Sequence, residues 1–297
     1  MLQTSSPAFN RRQLLQGTSA AMAATLLTQT PLLAAPQTAQ HAMRLGLVTY
    51  QWGKDMSLSQ VIATCEKSGV LGVELRTEHK HGVEPSLSKA ERAEVKKRFA
   101  DSPVELVGYG SNCEYHSDDP AKVKQNIEQS KAYIQLMHDC GGRGVKVKPN
   151  GFSNGLSREK TIEQIGQALN EVATYGQNYG QKIRVEVHGR GTSELPVMRD
   201  IFKVADHPNA VVCWNSNDQD LNGSGLEANF RMVQDRLGDT VHIHELNQGN
   251  YPYAQLLKLF QQRNYAGWIL LECSSEPADK VQALIEQLQV FDKLLAG

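Results

Sequence analysis

Glu186 stands between two valines in the apolar run 183–187, and Glu272 directly follows the run 268–271. An unpaired carboxylate in such surroundings is costly to bury, so each must meet an ion-pair partner, a metal ion or a reacting proton. His242 and His244 are separated by one residue in the run 241–246, which turns both to one face of an extended segment. Asn215 and Asp218 follow the apolar run 210–214, and such Asn/Asp clusters either make turns or bring side-chain oxygens to a site. Carboxylates and imidazoles converging from separate segments form the ligand set of a divalent ion: Mg or Mn where oxygen dominates, Mn, Co or Zn where imidazole contributes. His79, His81 and His116 fall in loops, where they are either solvated or functional, and His138 falls inside a helical pattern and reads as structural.

The elements that must gather these residues are legible as alternation. From Met43 onward, eight short β-rich runs (44–50, 72–75, 104–109, 144–147, 183–187, 210–214, 241–246 and 268–271) alternate with amphipathic stretches (58–68, 89–100, 121–140, 158–179, 194–205, 225–237, 253–263 and 277–295). Asp118-Asp119-Pro120 and Ser157 read as helix starts, and Gly69, Gly141-Gly142 and Gly180 as stops. Eight strand–helix units in about 255 residues match an α/β fold of the (β/α)8 TIM-barrel type, here a single domain over 43–297. A doubly wound open sheet is the alternative, but it usually carries a Gly-rich phosphate turn after its first strand. That place holds Thr49-Tyr50-Gln51-Trp52-Gly53, and neither a P-loop nor a GxGxxG motif occurs.

In such a barrel the chemistry sits at the C-terminal strand ends. Seven of the eight ends carry charged or imidazole groups, which a barrel built for stability alone would not need. The ends add His116 after the third strand, Lys146 and Lys148 on the fourth, and His188 and Arg190 after the fifth. The two lysines and Arg190 read either as anion contacts or, for the alternating lysines, as an outward solvated face.

With Glu186-Val187-His188, Asn215-Ser216-Asn217-Asp218, His242-Ile243-His244-Glu245 and Leu271-Glu272 in place, the sequence resembles the xylose-isomerase-like TIM-barrel superfamily over nearly all of 43–295. The resemblance implies a metal-binding Glu on strand 5, an Asp and then a His three residues on at strand 6, a His on strand 7 and a Glu on strand 8. Carried over by position, Glu186, His242 and Glu272 match by type, whereas Asn215 stands for the Asp and Asp218 for the His. The expected activity is a metal-dependent sugar isomerase or epimerase, with Glu186 and Glu272 moving a proton next to a carbonyl through an enediolate. His116, Lys148, His188, Arg190 and His244 are the expected substrate contacts, with Trp52 or Trp214 stacking on a sugar face. The neutral Asn215 keeps open a metal-depleted carbohydrate-binding relative, and the same chemistry ending in elimination would make a keto-sugar lyase. An abasic-site endonuclease on this barrel needs an Asp-x-His soon after strand 7; residues 246–253 read LNQGNYPY.

Residues 1–42 differ from the rest. Arg11-Arg12 precedes a mildly apolar stretch from Thr18 to about Ala35, with no acidic residue, which resembles a twin-arginine export signal. A disordered basic terminus or a membrane anchor are the alternatives, the anchor weakened by Gln29 and Thr30. Export to the periplasm, cleavage between about 34 and 42 and no stable membrane insertion afterwards are expected. The formal charge is −1, and −3 once the two arginines of the signal are set aside, which leaves no footprint for nucleic acid. The expected partner is a small unphosphorylated carbohydrate, and association into oligomers is compatible with the sequence. Five widely spaced cysteines without a CxxC pair argue against a zinc ribbon or a dense disulfide framework; most read as small buried hydrophobes, with one disulfide left open.

Overall fold

Local chemistry fixes where the helices begin and end. Ser57 and Gln60, and Ser88 and Glu91, form reciprocal capping boxes at the starts of α1 (Leu58–Ser68) and α2 (Lys89–Ala100). Asp119 caps α3 (Pro120–Cys140), whose first residue is the proline that needs no donor there, and Ser157 caps α4 (Arg158–Gln177). Gly69 and Gly141 end α1 and α3 in the left-handed region, at φ 77° and 91°.

The computed structural model describes residues 43–297, so the expected export signal lies outside the described residues. The strands β1 (Arg44–Val48), β2 (Gly72–Arg76), β3 (Glu105–Glu114), β4 (Gly144–Lys148), β5 (Lys182–Glu186), β6 (Ala210–Asn215), β7 (Leu237–Ile243) and β8 (Trp268–Leu271) alternate with the helices; α5 (Leu195–Val204), α6 (Leu226–Val233), α7 (Tyr253–Gln262) and α8 (Lys280–Ala296) complete the set. Every neighbouring pair is parallel and β8 closes on β1, giving a (β/α)8 barrel. Several boundaries differ from the sequence reading, most of all at β3 and β7. β3 continues past the apolar run 104–109 through Gly110-Ser111-Asn112 to Glu114, because Arg76 pairs with Gly110 and Glu114 with Lys148. β7 begins at Leu237, where a helix was expected to end; α6 stops at Val233, and Leu237 pairs with Val212 across the barrel wall. Among the described residues, no helix is long and apolar enough to cross a membrane. All five cysteines are buried and free.

The period of two along each strand sorts the side chains. Val73, Leu75, Ile183, Val185, Val212, Trp214, Val241, Ile243, Ile269 and Leu271 join the main apolar core beneath the helices. A separate small cluster of Val48, Val107, Trp268 and Leu270 fills the other face, the barrel interior. The same interior also holds charge. Glu74, Lys146, Arg184, Glu186 and His242 are all essentially inaccessible to solvent. Glycines make room for them: a Cβ on Gly108 would lie 2.2 Å from Arg184 Nη1, and one on Gly110 3.1 Å from Glu74 Oε1.

Candidate active site

Three interior strand ends converge. Glu186 from β5, His242 from β7 and Glu272 just beyond β8 each bring a ligand atom within 4.8 Å of the others, and all three are buried. His242 Nδ1 lies 3.1 Å from Glu186 Oε1 and 3.4 Å from Glu272 Oε2. Its other nitrogen, Nε2, lies 3.1 Å from Glu74 Oε1 on β2. Asn215, at the end of β6, donates through Nδ2 to Glu186 Oε1 at 3.1 Å, while its Oδ1 is buried without a hydrogen-bond partner.

Protein cations already face both glutamates. Lys146 Nζ donates to Glu186 Oε2 at 2.7 Å, with neither side chain more than 1% exposed. Arg76 Nη1 donates to Glu272 Oε1 at 2.6 Å. Deeper in the barrel, Arg184 makes a two-point ion pair with Asp239 at 2.9 Å for each bond, and its Nη1 lies 4.0 Å from Glu74 Oε2. Burial pushes the Glu186 carboxyl up, but the Lys146 ammonium and His242 outweigh it and hold it well below the usual carboxylate range. Burial and the Glu186 charge push Glu272 up; His242 and Lys146 outweigh them and leave it lowered. Burial pushes His188 down, which favours its neutral imidazole.

A cavity of about 240 Å³ opens over this cluster, lined by Tyr50, Arg76, Lys148, Glu186, His188, Asn215, Asn217, His244 and Glu272. The structure therefore brings together Glu186, Glu272, His242, Asn215, Lys148, His188 and His244. It separates the other expected site residues. Asp218 lies in a 3-10 turn (Asp218–Leu221) with an exposed side chain, so it does not stand beside Asn215 as a ligand. Trp214 differs by one residue from Asn215 in strand parity and points outward, its ring 5.6 Å from that of Phe230. Trp52 is buried in the main core, its Nε1 donating to Ser275 Oγ, and Tyr50 is the aromatic that lines the cavity. His116 lines a different cleft, with Glu114, Asp118 and Phe152. Arg190 is exposed in the loop after β5. Lys146 is fully buried and Lys148 lines the cavity, so neither belongs to an outward solvated face. Glu74, Arg76, Tyr50 and Asn217 were missed; alternation along β2 from Gly72 would have placed Glu74 and Arg76 inside.

The donor set fits a divalent cation. Two carboxylates and an imidazole lie at ligand spacing, and the orphaned Asn215 Oδ1 is a buried oxygen that a cation would satisfy. The set is less anionic than one with Asp at position 215, and Lys146 and Arg76 reduce its net charge further.

A family model described as "Xylose isomerase-like TIM barrel" matches residues 62–294. A structure of D-psicose 3-epimerase in the presence of D-fructose is 16% identical, covers 86% of this chain and 100% of its own, and superposes with a TM-score of 0.75. The apo form of 3-keto-D-glucoside 4-epimerase YcjR from E. coli is 14% identical, with 84% and 99% covered and a TM-score of 0.71. The IOLI protein with a bound zinc atom is also 14% identical, with 86% and 98% covered and a TM-score of 0.71. At these identities the likeness is one of fold. No curated protein sequence matches the chain.

Proposed function

The chain belongs to the xylose isomerase-like TIM barrel family, and from that premise we propose that it is a metal-dependent sugar epimerase or isomerase. The observation that carries the reading is the convergence of Glu186, His242 and Glu272 at the cavity floor, beside the unpartnered Asn215 Oδ1. These four residues would hold the ion. When bound, it supplies Lewis-acid polarisation of a substrate carbonyl and its neighbouring hydroxyl. The solved relatives named for sugar epimerisation support a sugar as substrate. The cavity, smaller than the roughly 300–1,000 Å³ of drug-sized sites, suits one small unphosphorylated sugar or the reacting ring of a larger one.

The chain's own part in the reaction is to move a proton. A hydrogen on carbon next to a carbonyl is a very weak acid, and its removal needs a base beside it. Glu186 on β5 and Glu272 after β8 enter the cavity from different sides; one takes the proton and the other returns it. Return on the opposite face inverts the centre, and return to the adjacent carbon isomerises. Glu272, held by Arg76 and His242, carries fewer hydrogen bonds than Glu186, which receives Lys146, Asn215 and His242. Glu272 is therefore the better first base.

The test is deuterium entry from heavy water into C–H positions of D-psicose, D-fructose and 3-keto-glucosides, with added Mn²⁺. Glu186→Gln and Glu272→Gln should each lower exchange by about 10²–10⁴-fold on an accepted sugar. Full activity in either variant overturns the paired scheme. Appearance of an alkene product in place of an exchanged sugar would instead indicate the lyase.

The Lys146–Glu186 and Arg76–Glu272 pairs favour a second reading, an ion-free carbohydrate-binding protein. Elemental analysis separates the two, since a binder contains no stoichiometric divalent ion. We also place the protein outside the cytoplasm, on the strength of Arg11-Arg12 and the apolar stretch behind them. Arg11→Lys with Arg12→Lys should hold the full chain inside the cell; unaltered export would remove that assignment.

A further inference from the structure

His188 and His244 enter the cavity from β5 and β7, each two residues beyond a member of the Glu186–His242 pair. Each has one ring nitrogen tied to the protein. His244 Nδ1 lies 3.1 Å from the Glu272 carbonyl oxygen. A carbonyl only accepts, so Nδ1 carries the hydrogen, and in the neutral ring Nε2 is then the acceptor. His188 Nδ1 lies 3.0 Å from the Asn150 side chain, whose amide can present either an oxygen or an NH₂ group. The Glu114 carboxylate settles that choice. It contacts the other end of the Asn150 amide, and because a carboxylate only accepts, the NH₂ group must face Glu114. The oxygen then faces His188, whose Nδ1 must donate.

The backbone is built to hold this chain of three side chains. Asn150 has φ 61°, the left-handed region that asparagine tolerates better than most residues. Asn150 and Gly189 form an isolated parallel bridge, so close that a Cβ on Gly189 would lie 2.4 Å from Asn150 Cα. Thr192 Oγ1 donates to the His188 carbonyl at 2.7 Å and fixes the other side of the turn.

We infer that Glu114 and Asn150 are positioning residues that hold His188 in its Nδ1–H tautomer, so that His188 and His244 meet the ligand as a pair of Nε2 hydrogen-bond acceptors. The ligand this pair recognises is one rich in O–H donors, a polyol or sugar. That recognition role rests on the proposed function, whereas the tautomer assignment does not. Arg76 and Lys148 line the same cavity and can only donate. Acceptors and donors together suit hydroxyl groups, which do both.

The test is long-range ¹H–¹⁵N correlation of the histidine rings in the full chain at about pH 8, without metal or sugar. His188→Gln and His244→Gln assign the two rings. Both rings should report Nδ1–H, the minority tautomer of free imidazole. Asn150→Gly keeps the left-handed backbone accessible and should return His188 to a mixture rich in Nε2–H. His244, tied to a main-chain carbonyl, should not change. Glu114→Gln frees the amide to turn and should also lower the Nδ1–H population of His188, which keeps the test available if Asn150→Gly fails to fold. Nε2–H at His188 in the wild type, or no change in His188 in a folded variant, overturns the inference. Sugar exchange plays no part in this measurement, so failure of the proposed function is recorded separately.

Discussion

Lys146 Nζ lies 2.7 Å from Glu186 Oε2, inside a barrel that exposes neither. This ammonium faces a proposed metal ligand and therefore competes with the ion. Lys146→Met should bind Mn²⁺ roughly tenfold or more tightly, since removing a unit charge a few Å from a cation is worth well over 1.4 kcal/mol. Without metal the same variant leaves a buried carboxylate without its cation, and should lose about 3–5 kcal/mol of stability. Calorimetric titration with Mn²⁺, beside urea unfolding in chelator, reads both. Unchanged or weaker Mn²⁺ binding would show that Lys146 does not oppose the ion.

Asn215 contributes an oxygen to the cluster but no charge. Asn215→Asp adds a carboxylate within reach of Glu186, whose Oε1 now accepts from the Asn215 amide at 3.1 Å. Two effects of opposite sign follow. Mn²⁺ should bind roughly tenfold or more tightly, about 1.4 kcal/mol or beyond. In chelator, repulsion between two buried carboxylates should lower the melting temperature, by roughly 2–4 °C for each kcal/mol lost in a chain of this size. An Asp variant that melts higher in chelator, or binds Mn²⁺ no better, contradicts the placement of residue 215 at the ion.

The barrel was legible because eight apolar runs recur between amphipathic stretches, and Glu186, His242 and Glu272 because each sets an ionisable group inside such a run or directly after it. What escaped depends on strand parity counted to the single residue. Trp214 and Asn215 are adjacent, so only one can face the cavity, and Asn215 there excludes Trp214 from stacking on a sugar. Lys146 and Lys148 alternate like an outward solvated face and are inward because Glu186 and the cavity stand opposite. Asp218 is three residues beyond Asn215, but the 3-10 turn carries its side chain into solvent. The Glu114–Asn150–His188 contacts join three strand ends that are far apart in sequence, and no local pattern announces them.

Gly108 is the opening through which Arg184 enters the barrel. A methyl group there would lie 2.2 Å from Arg184 Nη1 and 2.6 Å from the Gly144 carbonyl. Arg184 cannot retreat without giving up its two bonds to Asp239. Gly108→Ala should therefore cost about 1–3 kcal/mol through overpacking, seen as a lower urea midpoint with an unchanged slope. A loss below about 0.5 kcal/mol, the level of an ordinary surface change, would mean that the charged interior is looser than these contacts require.

Asp220 is buried behind the cavity wall, accepting from Tyr251 Oη at 2.6 Å and from the Asn217 backbone at 3.0 Å, while its Oδ1 has no partner. Burial pushes its carboxyl up to about 7, against the lowering effect of those two hydrogen bonds. Between the ordinary value of 3.8 and about 7 the folded chain holds a proton that the unfolded chain has released, so stability falls as pH rises through that window. The whole window is worth roughly 4 kcal/mol. Asp220→Asn keeps an oxygen for Tyr251 and Asn217 and removes the titration. Its stability relative to wild type should rise steadily from about pH 4 to about pH 7 and then level off. Urea unfolding of both proteins across that range measures the difference, and a constant offset would show that Asp220 is ionised in the fold.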